Sequence, residues 1–224
     1  INLIMKTMTD EKNSHYDDLC EFLSTPNNFK YYEVHDFHKL CNTSPNTNSD
    51  FFSIFHTNIC SLQANFESLE TLITELDLNF DIITLSETWN PESKKHLFQS
   101  PILENYQSLK TLTGSSAKSG VRMYLHKNLN FIARTDLDFK YFLKDKEEYE
   151  GLWIEISRID SPNIIIGVVY RHPSQTDSKF NLTLKNTLKK ITNESGKLIA
   201  ITGDFNLDLL KYDEDSKISN FLNT

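Results

Sequence analysis

Cysteine is scarce in this chain. The three that occur, Cys20, Cys41 and Cys60, are odd in number and show no C-x-x-C spacing, so neither a disulfide framework nor a zinc site is indicated and reduced thiols are the default. A long apolar run is also missing. Nothing approaches the roughly 18 residues of a membrane span, and the opening INLIMKTMTDEK is too short and too polar for the hydrophobic region of a secretory signal. A cytosolic or nuclear setting with no membrane contact is the expectation. Basic charge is not in excess either: 23 Lys and Arg face 31 Asp and Glu, a formal net charge of −8. That argues against a protein that grips nucleic acid chiefly by bulk electrostatics, so a polyanionic substrate would call for a local basic surface or a metal ion. No internal repeat is visible. What is present is a globular composition, 38% hydrophobic and 12% aromatic over 224 residues, enough for one sizeable core.

Residues 1 to 50 carry four Lys and Arg against eight Asp and Glu and end in CNTSPNTNSD, where polar turn formers dominate. They read as an N-terminal extension and linker, with residues 51 to 224 as the main domain. From Phe51 the pattern changes. FFSIFHTN reads as a strand, and Leu62, Phe66, Leu69, Ile73 and Leu76 then mark one face of an amphipathic helix. FDIITLSE is a second strand, and GVRMYLH sets Val121, Met123 and Leu125 on one face. LWIEIS alternates Leu152, Ile154 and Ile156 inward, and NIIIGVVY is a buried run. Phe180, Leu184, Leu188 and Ile191 form a second helical stripe before KLIAITGD. The order predicts a sheet-rich α/β domain with helices on the outer faces of packed sheets.

Several predicted strands end on polar residues. FFSIF ends near His56 and Asn58, DIITLS on Glu87, IIIGVVY on Tyr170 and Arg171, and IAITG on Asp204 and Asn206. Amide, carboxylate and phenol groups gathered at strand ends make a candidate site. Each also has a plainer explanation: Asn58 as a helix cap, Glu87 as a first-turn helix residue, Tyr170 as a half-buried aromatic, and Asp204 with Asn206 as turn formers. A calcium loop is a rival, with Asp204, Asn206, Asp208 and Asp215 at the first, third, fifth and twelfth places. Leu209 stands where such a loop needs glycine, and the preceding segment reads as a strand.

Asn58 in HTNICSL, Glu87 in LSETW, Tyr170 with Arg171 in GVVYRHPS, and Asp204 with Asn206 in ITGDFNLDLL resemble, in order and spacing, the endonuclease/exonuclease/phosphatase superfamily. The stretches DIITLSETW and SGVRMYLHKNL are most similar to the apurinic-endonuclease-like domain of LINE-type (non-LTR) retrotransposon proteins. The resemblance implies a four-layer α/β sandwich and phosphodiester hydrolysis assisted by Mg²⁺, with Mn²⁺ as an alternative, on a DNA substrate. It implies Glu87 as a metal ligand with Asn58 beside it near the phosphate. Asp204 would orient and deprotonate the attacking water, and Asn206 and Tyr170 would donate to the charged phosphorus centre. A hard cation with oxygen ligands and retained waters needs no protein cage and offsets repulsion between an acidic protein and a polyanion. Lys94, Lys95, Lys118, Arg122, Lys127 and Arg171 are candidates for contacts to the nucleic-acid backbone.

The family pattern closes with two further strands carrying an Asp and a Ser-Asp-His segment, and no histidine follows Asp204 here. The resemblance therefore implies a C-terminally incomplete site, weak or inactive as a fragment, in a longer protein that carries a reverse transcriptase. A catalytically dead remnant, and a phosphatase of the same fold acting on lipid or inositol phosphates, are the alternative readings.

Overall fold

The computed structural model describes residues 52–89, 101–110, 119–143, 146–159, 161–173, 177–208 and 216–222. The proposed extension and linker, Lys94, Lys95, Lys118, Leu209 and Asp215 lie outside these.

The first sheet has the order β1-β2-β4-β3, built from β1 (Ile54–Asn58), β2 (Ile82–Ser86), β3 (Tyr106–Lys110) and β4 (Arg122–His126). β1 and β2 run parallel, while β4 is antiparallel to both β2 and β3. A parallel pair needs a long crossover. Here it is α1 (Leu62–Leu76), whose first turn is capped by the Ser61 hydroxyl accepting from the Ala64 N–H at 3.4 Å. Asp77 closes its far end in the left-handed conformation, with its N–H bonded to the Thr74 carbonyl.

The second sheet contains β5 (Phe131–Ala133), β6 (Phe139–Leu143), β7 (Lys146–Ile156), β8 (Ile164–Arg171) and β9 (Leu198–Asp204), in the order β5-β7-β8-β9 with β6 also pairing to β7. Only β8 and β9 run parallel here, joined through α2 (Asp177–Thr192). A short helix, α3 (Ser216–Leu222), follows.

Alternation along the strands sorts the side chains into three cores. Ile82, Val121, Met123 and Leu125 of the first sheet meet Leu152, Ile154, Ile156, Ile164, Ile166, Val168 and Tyr170 of the second. The opposite face of the first sheet, Phe55, Ile83, Leu85 and Tyr124, packs on Leu62, Leu69 and Leu76 of α1. The opposite face of the second, with Trp153, Ile165 and Val169, packs on Phe180, Leu184 and Ile191 of α2, and Phe221 of α3 joins it. β8 is therefore covered on both faces and buried at all eight residues, which is why it reads as an unbroken apolar run. The layers stack as helix, sheet, sheet, helix, the expected α/β (α+β) sandwich.

Candidate active site

Parallel pairing fixes which ends meet. β1 and β2 are in register at Asn58 and Ser86, so Glu87 leaves β2 beside Asn58. β8 and β9 are in register at Tyr170 and Asp204. Face-to-face packing of the sheets brings the two rims together. Asn58 Nδ2 donates to Glu87 Oε1 at 3.0 Å and to Asp204 Oδ2 at 2.9 Å. The Tyr170 hydroxyl donates to the same Glu87 oxygen at 3.3 Å. Asn206 joins through its backbone N–H, bonded to Asp204 Oδ1 at 3.0 Å, and its side-chain amide donates to the Arg171 carbonyl at 2.7 Å. Asn58, Glu87, Tyr170, Asp204 and Asn206 thus lie in one hydrogen-bonded group.

The backbone that delivers them is unusual. Glu87 sits at φ 53° and Asn206 at φ 50°, in the left-handed region. Asn tolerates that conformation, but for Glu it carries a strain of about 1–3 kcal/mol that the surroundings must hold in place. They do so from both sides. The carbonyls of Ser86, Glu87 and Thr88 accept from the N–H groups of Ile59, Ser61 and Leu62, while the N–H groups of Thr88 and Trp89 donate to the carbonyls of Gly120 and Ser119. Gly203, directly before Asp204, has φ 146°, and a Cβ there would lie 1.8 Å from the Val169 carbonyl oxygen. The glycine of ITGDFN lets β9 approach β8 closely where the acid is presented.

The electrostatics favour a cation. Two carboxylates share one neutral amide donor, leaving several oxygen lone pairs directed at the same space. Burial first, then Glu87 and Asp204, raise the Tyr170 phenol well above its ordinary range, so it stays a proton donor. His56 lies beneath the site, its Nδ1 3.0 Å from the Thr84 hydroxyl. Burial lowers its pKa to about 4 against the opposing pull of Asp204, so the imidazole is neutral at physiological pH. Among the described residues no group of three His, Cys, Asp or Glu side chains could enclose a metal. The donor set is carboxylate and amide oxygen, which fits a hard cation that keeps most of its waters and does not suit a caged transition metal.

Other sequence-flagged residues stand elsewhere. Arg171 is 3% exposed, and its guanidinium donates to the carbonyls of Phe205 at 2.6 Å and Asn206 at 2.8 Å. It fastens the loop after β9 and does not project to solvent. Arg122 is fully buried, with Nη1 donating to the Tyr124 hydroxyl at 3.2 Å, so the expectation of a backbone contact there is corrected. Lys127 follows β4 at the end of the sheet remote from Asn58, because β4 runs antiparallel to β2. Asn58 is not the cap of α1, a role taken by Ser61; its Oδ1 accepts from the Cys60 N–H at 3.1 Å. Glu87 lies in irregular backbone just after β2, not in a helical turn. One residue near the site was missed: Glu150, buried on β7 opposite Tyr170. The signal was available, since Glu150 shares the parity of Leu152, Ile154 and Ile156.

No protein-family profile and no curated protein matches the chain in sequence. Solved structures do match in shape. One is the endonuclease domain of TRAS1, a telomere-specific non-LTR retrotransposon, with a TM-score of 0.53 at 11% identity over 77% of this chain and 70% of that one. Another is ANGEL2, a 2′,3′-cyclic phosphatase, with a TM-score of 0.51 at 17% identity over 73% of this chain and 57% of that one. A third is the AP endonuclease LMAP from Leishmania major, with a TM-score of 0.51 at 15% identity over 95% of this chain and 75% of that one. At such identities the likeness is one of architecture. With four layers and parallel strand pairs opening on a shared rim, the chain has the endonuclease/exonuclease/phosphatase fold.

Proposed function

We propose that this domain is a metal-dependent phosphodiesterase acting on DNA, the nicking endonuclease of a non-LTR retrotransposon protein that also carries a reverse transcriptase. The observation that supports it is the single Asn58 amide bonded at once to Glu87 and Asp204, which leave different sheets. Glu87, with Asn58 beside it, would hold Mg²⁺ or Mn²⁺. The ion supplies charge neutralisation at the phosphate. Asp204 orients the attacking water and takes its proton as the water oxygen bonds phosphorus and the bond to the leaving oxygen breaks. The Tyr170 hydroxyl and the second Asn206 N–H donate to the non-bridging oxygens, where negative charge grows. The retroelement assignment rests on the DIITLSETW and SGVRMYLHKNL stretches and on the fold shared with TRAS1.

The fold shared with ANGEL2 supports a second reading, a phosphatase. Nicking of supercoiled plasmid with Mg²⁺, beside hydrolysis of a 2′,3′-cyclic nucleotide and of an inositol phosphate, separates the two. The expected result is nicking that chelation abolishes and that Glu87→Ala or Asp204→Ala lowers by about 10²- to 10³-fold. Nicking indifferent to both substitutions refutes the reading. Hydrolysis of the small phosphates with the plasmid intact establishes the phosphatase. Loss of all activities, with the fold retained, establishes the remnant.

A further inference from the structure

Glu150 is fully exposed to the protein interior and not to water, with 0% of its surface accessible. It shares the parity of Leu152, Ile154 and Ile156, which line the gap between the sheets, and its register partner is Tyr170, which lies in that same core. A carboxylate there requires a partner. Its Oε1 accepts from the Gly120 N–H at 2.5 Å, across from β7 to the turn that leads into β4. Gly120 has φ 102°, a backbone state open to glycine and strained for a residue with a side chain. Its carbonyl accepts from Thr88 N–H at 3.0 Å, and the carbonyl of Ser119 accepts from Trp89 N–H at 2.7 Å. Those bonds clamp the segment after Glu87, where both Glu87 and Trp89 sit at positive φ.

We propose that Glu150 is a positioning residue for Glu87. It pins the 119–120 turn from the second sheet, and the turn holds Glu87 in the left-handed backbone that aims its carboxylate at Asn58 and Tyr170. The inference rests on the reading of Glu87 as the metal-holding acid and adds a residue that touches neither metal nor substrate. What the clamp takes from it is an acceptor oxygen at a fixed reach, so a substitution that withdraws that oxygen should release the turn.

The test compares the full chain with Glu150→Gln, Glu150→Asp, Glu150→Ala and Glu87→Ala, measuring Mn²⁺ binding by titration calorimetry, plasmid nicking and amide hydrogen exchange. Gln keeps the acceptor at the same reach, and Asp keeps the charge but withdraws it by one methylene. Expected is Gln within about 3-fold of the parent in Mn²⁺ affinity and kcat, and Asp and Ala down by about 10- to 100-fold in both with KM unchanged. Exchange at Thr88 and Trp89 should speed up about 10-fold or more in the Asp variant and not in the Gln variant. Should Glu150→Ala fail to fold, the Gln and Asp variants decide alone. A Gln variant as damaged as Asp, or an Asp variant that binds Mn²⁺ like the parent while Glu87→Ala does not, overturns the proposal. Should Glu87→Ala leave Mn²⁺ binding intact, it is the functional reading that fails, and exchange at Thr88 and Trp89 still decides whether Glu150 holds the clamp.

Discussion

Replacing Gly203 by alanine tests how the site is delivered. The added Cβ would lie 1.8 Å from the Val169 carbonyl oxygen and within 2.9 Å of two further Val169 backbone atoms, where real Cβ contacts stay beyond 3.0 Å. No side chain can swing away to relieve it, because the obstacle is the backbone of β8. β9 must therefore withdraw by an amount on the order of 1 Å, and φ 146° adds strain for any residue with a side chain. Overpacking of this kind costs about 1–3 kcal/mol. For a domain of this size each kcal/mol lowers Tm by roughly 2–4 °C, so a fall of about 2–12 °C is expected in a thermal melt. Asp204 is the next residue and is paired in register with Tyr170. Its displacement by about 1 Å should cut nicking by about 10²-fold even well below the melting temperature. A variant with unchanged Tm would refute the steric argument. One that melts early but nicks at the parental rate would refute the claim that Gly203 sets the position of Asp204.

Tyr170→Phe should lower nicking by about 10²-fold with little change in KM. In the parent the rate should show no loss assignable to this phenol between pH 7 and 10, because burial and then Glu87 hold it protonated above its ordinary range; an alkaline limb below pH 10 that vanishes in the Phe variant would contradict this. Arg171→Met should reduce stability and rate together while leaving the salt dependence of DNA binding unchanged, because its guanidinium serves the Phe205 and Asn206 carbonyls. A phosphate contact would instead lower the salt slope by about 1. Remote from the site, Arg134 bonds Asp136, Glu155 and Glu194, and Lys197 bonds Glu155 at 2.7 Å. Hydrogen bonds from Arg134 lower the Asp136 and Glu194 carboxyls, and Lys197, Asn163 and Arg134 overcome the cost of burial to lower Glu155. Depressed carboxylates contribute stability above their unfolded pKa and lose it as pH falls through the folded values. Arg134→Met should thus cost about 1–3 kcal/mol at pH 7 in urea unfolding, and the gap from the parent should narrow below about pH 4; a gap constant with pH would refute the assignment.

The helical stripes were legible because burial on one face leaves a period. Leu62, Leu69 and Leu76, and Phe180, Leu184 and Ile191, are buried as their spacing predicts. Runs such as NIIIGVVY announce themselves because both faces are covered. β3 did not, since Tyr106–Lys110 is an edge strand with Gln107 and Ser108 exposed, and β5 is only three residues long. The site was legible as types and order but not as bonds. Asn58 and Asp204 are 146 positions apart, and which faces of two sheets meet is a tertiary fact. Arg122 misled because charge reads as surface until a buried hydroxyl partner is seen. Glu150 escaped because the alternation of LWIEIS was begun two residues too late.

The two halves of the domain repeat one solution. β1-α1-β2 and β8-α2-β9 are each a parallel pair joined by an outer helix, so each sheet ends two strands together at one rim. In each unit the first strand carries a neutral donor at its last or next-to-last residue, Asn58 or Tyr170, and the second ends on or leads to a carboxylate, Asp204 or Glu87. Ligand sites favour the carboxyl ends of parallel strands because the crossovers leave that end open. Here two such ends face each other, so the geometry of the site depends on how the sheets are registered. Stepping down by the strand period of two from Asn58, Ser86 and Asp204 reaches His56, Thr84 and Thr202. Those three are linked, Thr202 Oγ1 donating to Thr84 Oγ1 at 3.0 Å and Thr84 Oγ1 lying 3.0 Å from His56 Nδ1. The Thr84 hydroxyl lies 3.2 Å from the Phe55 carbonyl, and with its proton directed there the His56 contact is made by an Nδ1–H. The next step down reaches Ile54, Ile82 and Ala200 in the apolar core. A directional polar layer thus lies between a core that could slide and a rim that must not. Its hydrogen bonds, unlike apolar contacts, have one register in which they are all made, which accounts for a neutral histidine and two threonines in the layer beneath Asn58, Ser86 and Asp204, with Thr84 fully buried and His56 and Thr202 partly so.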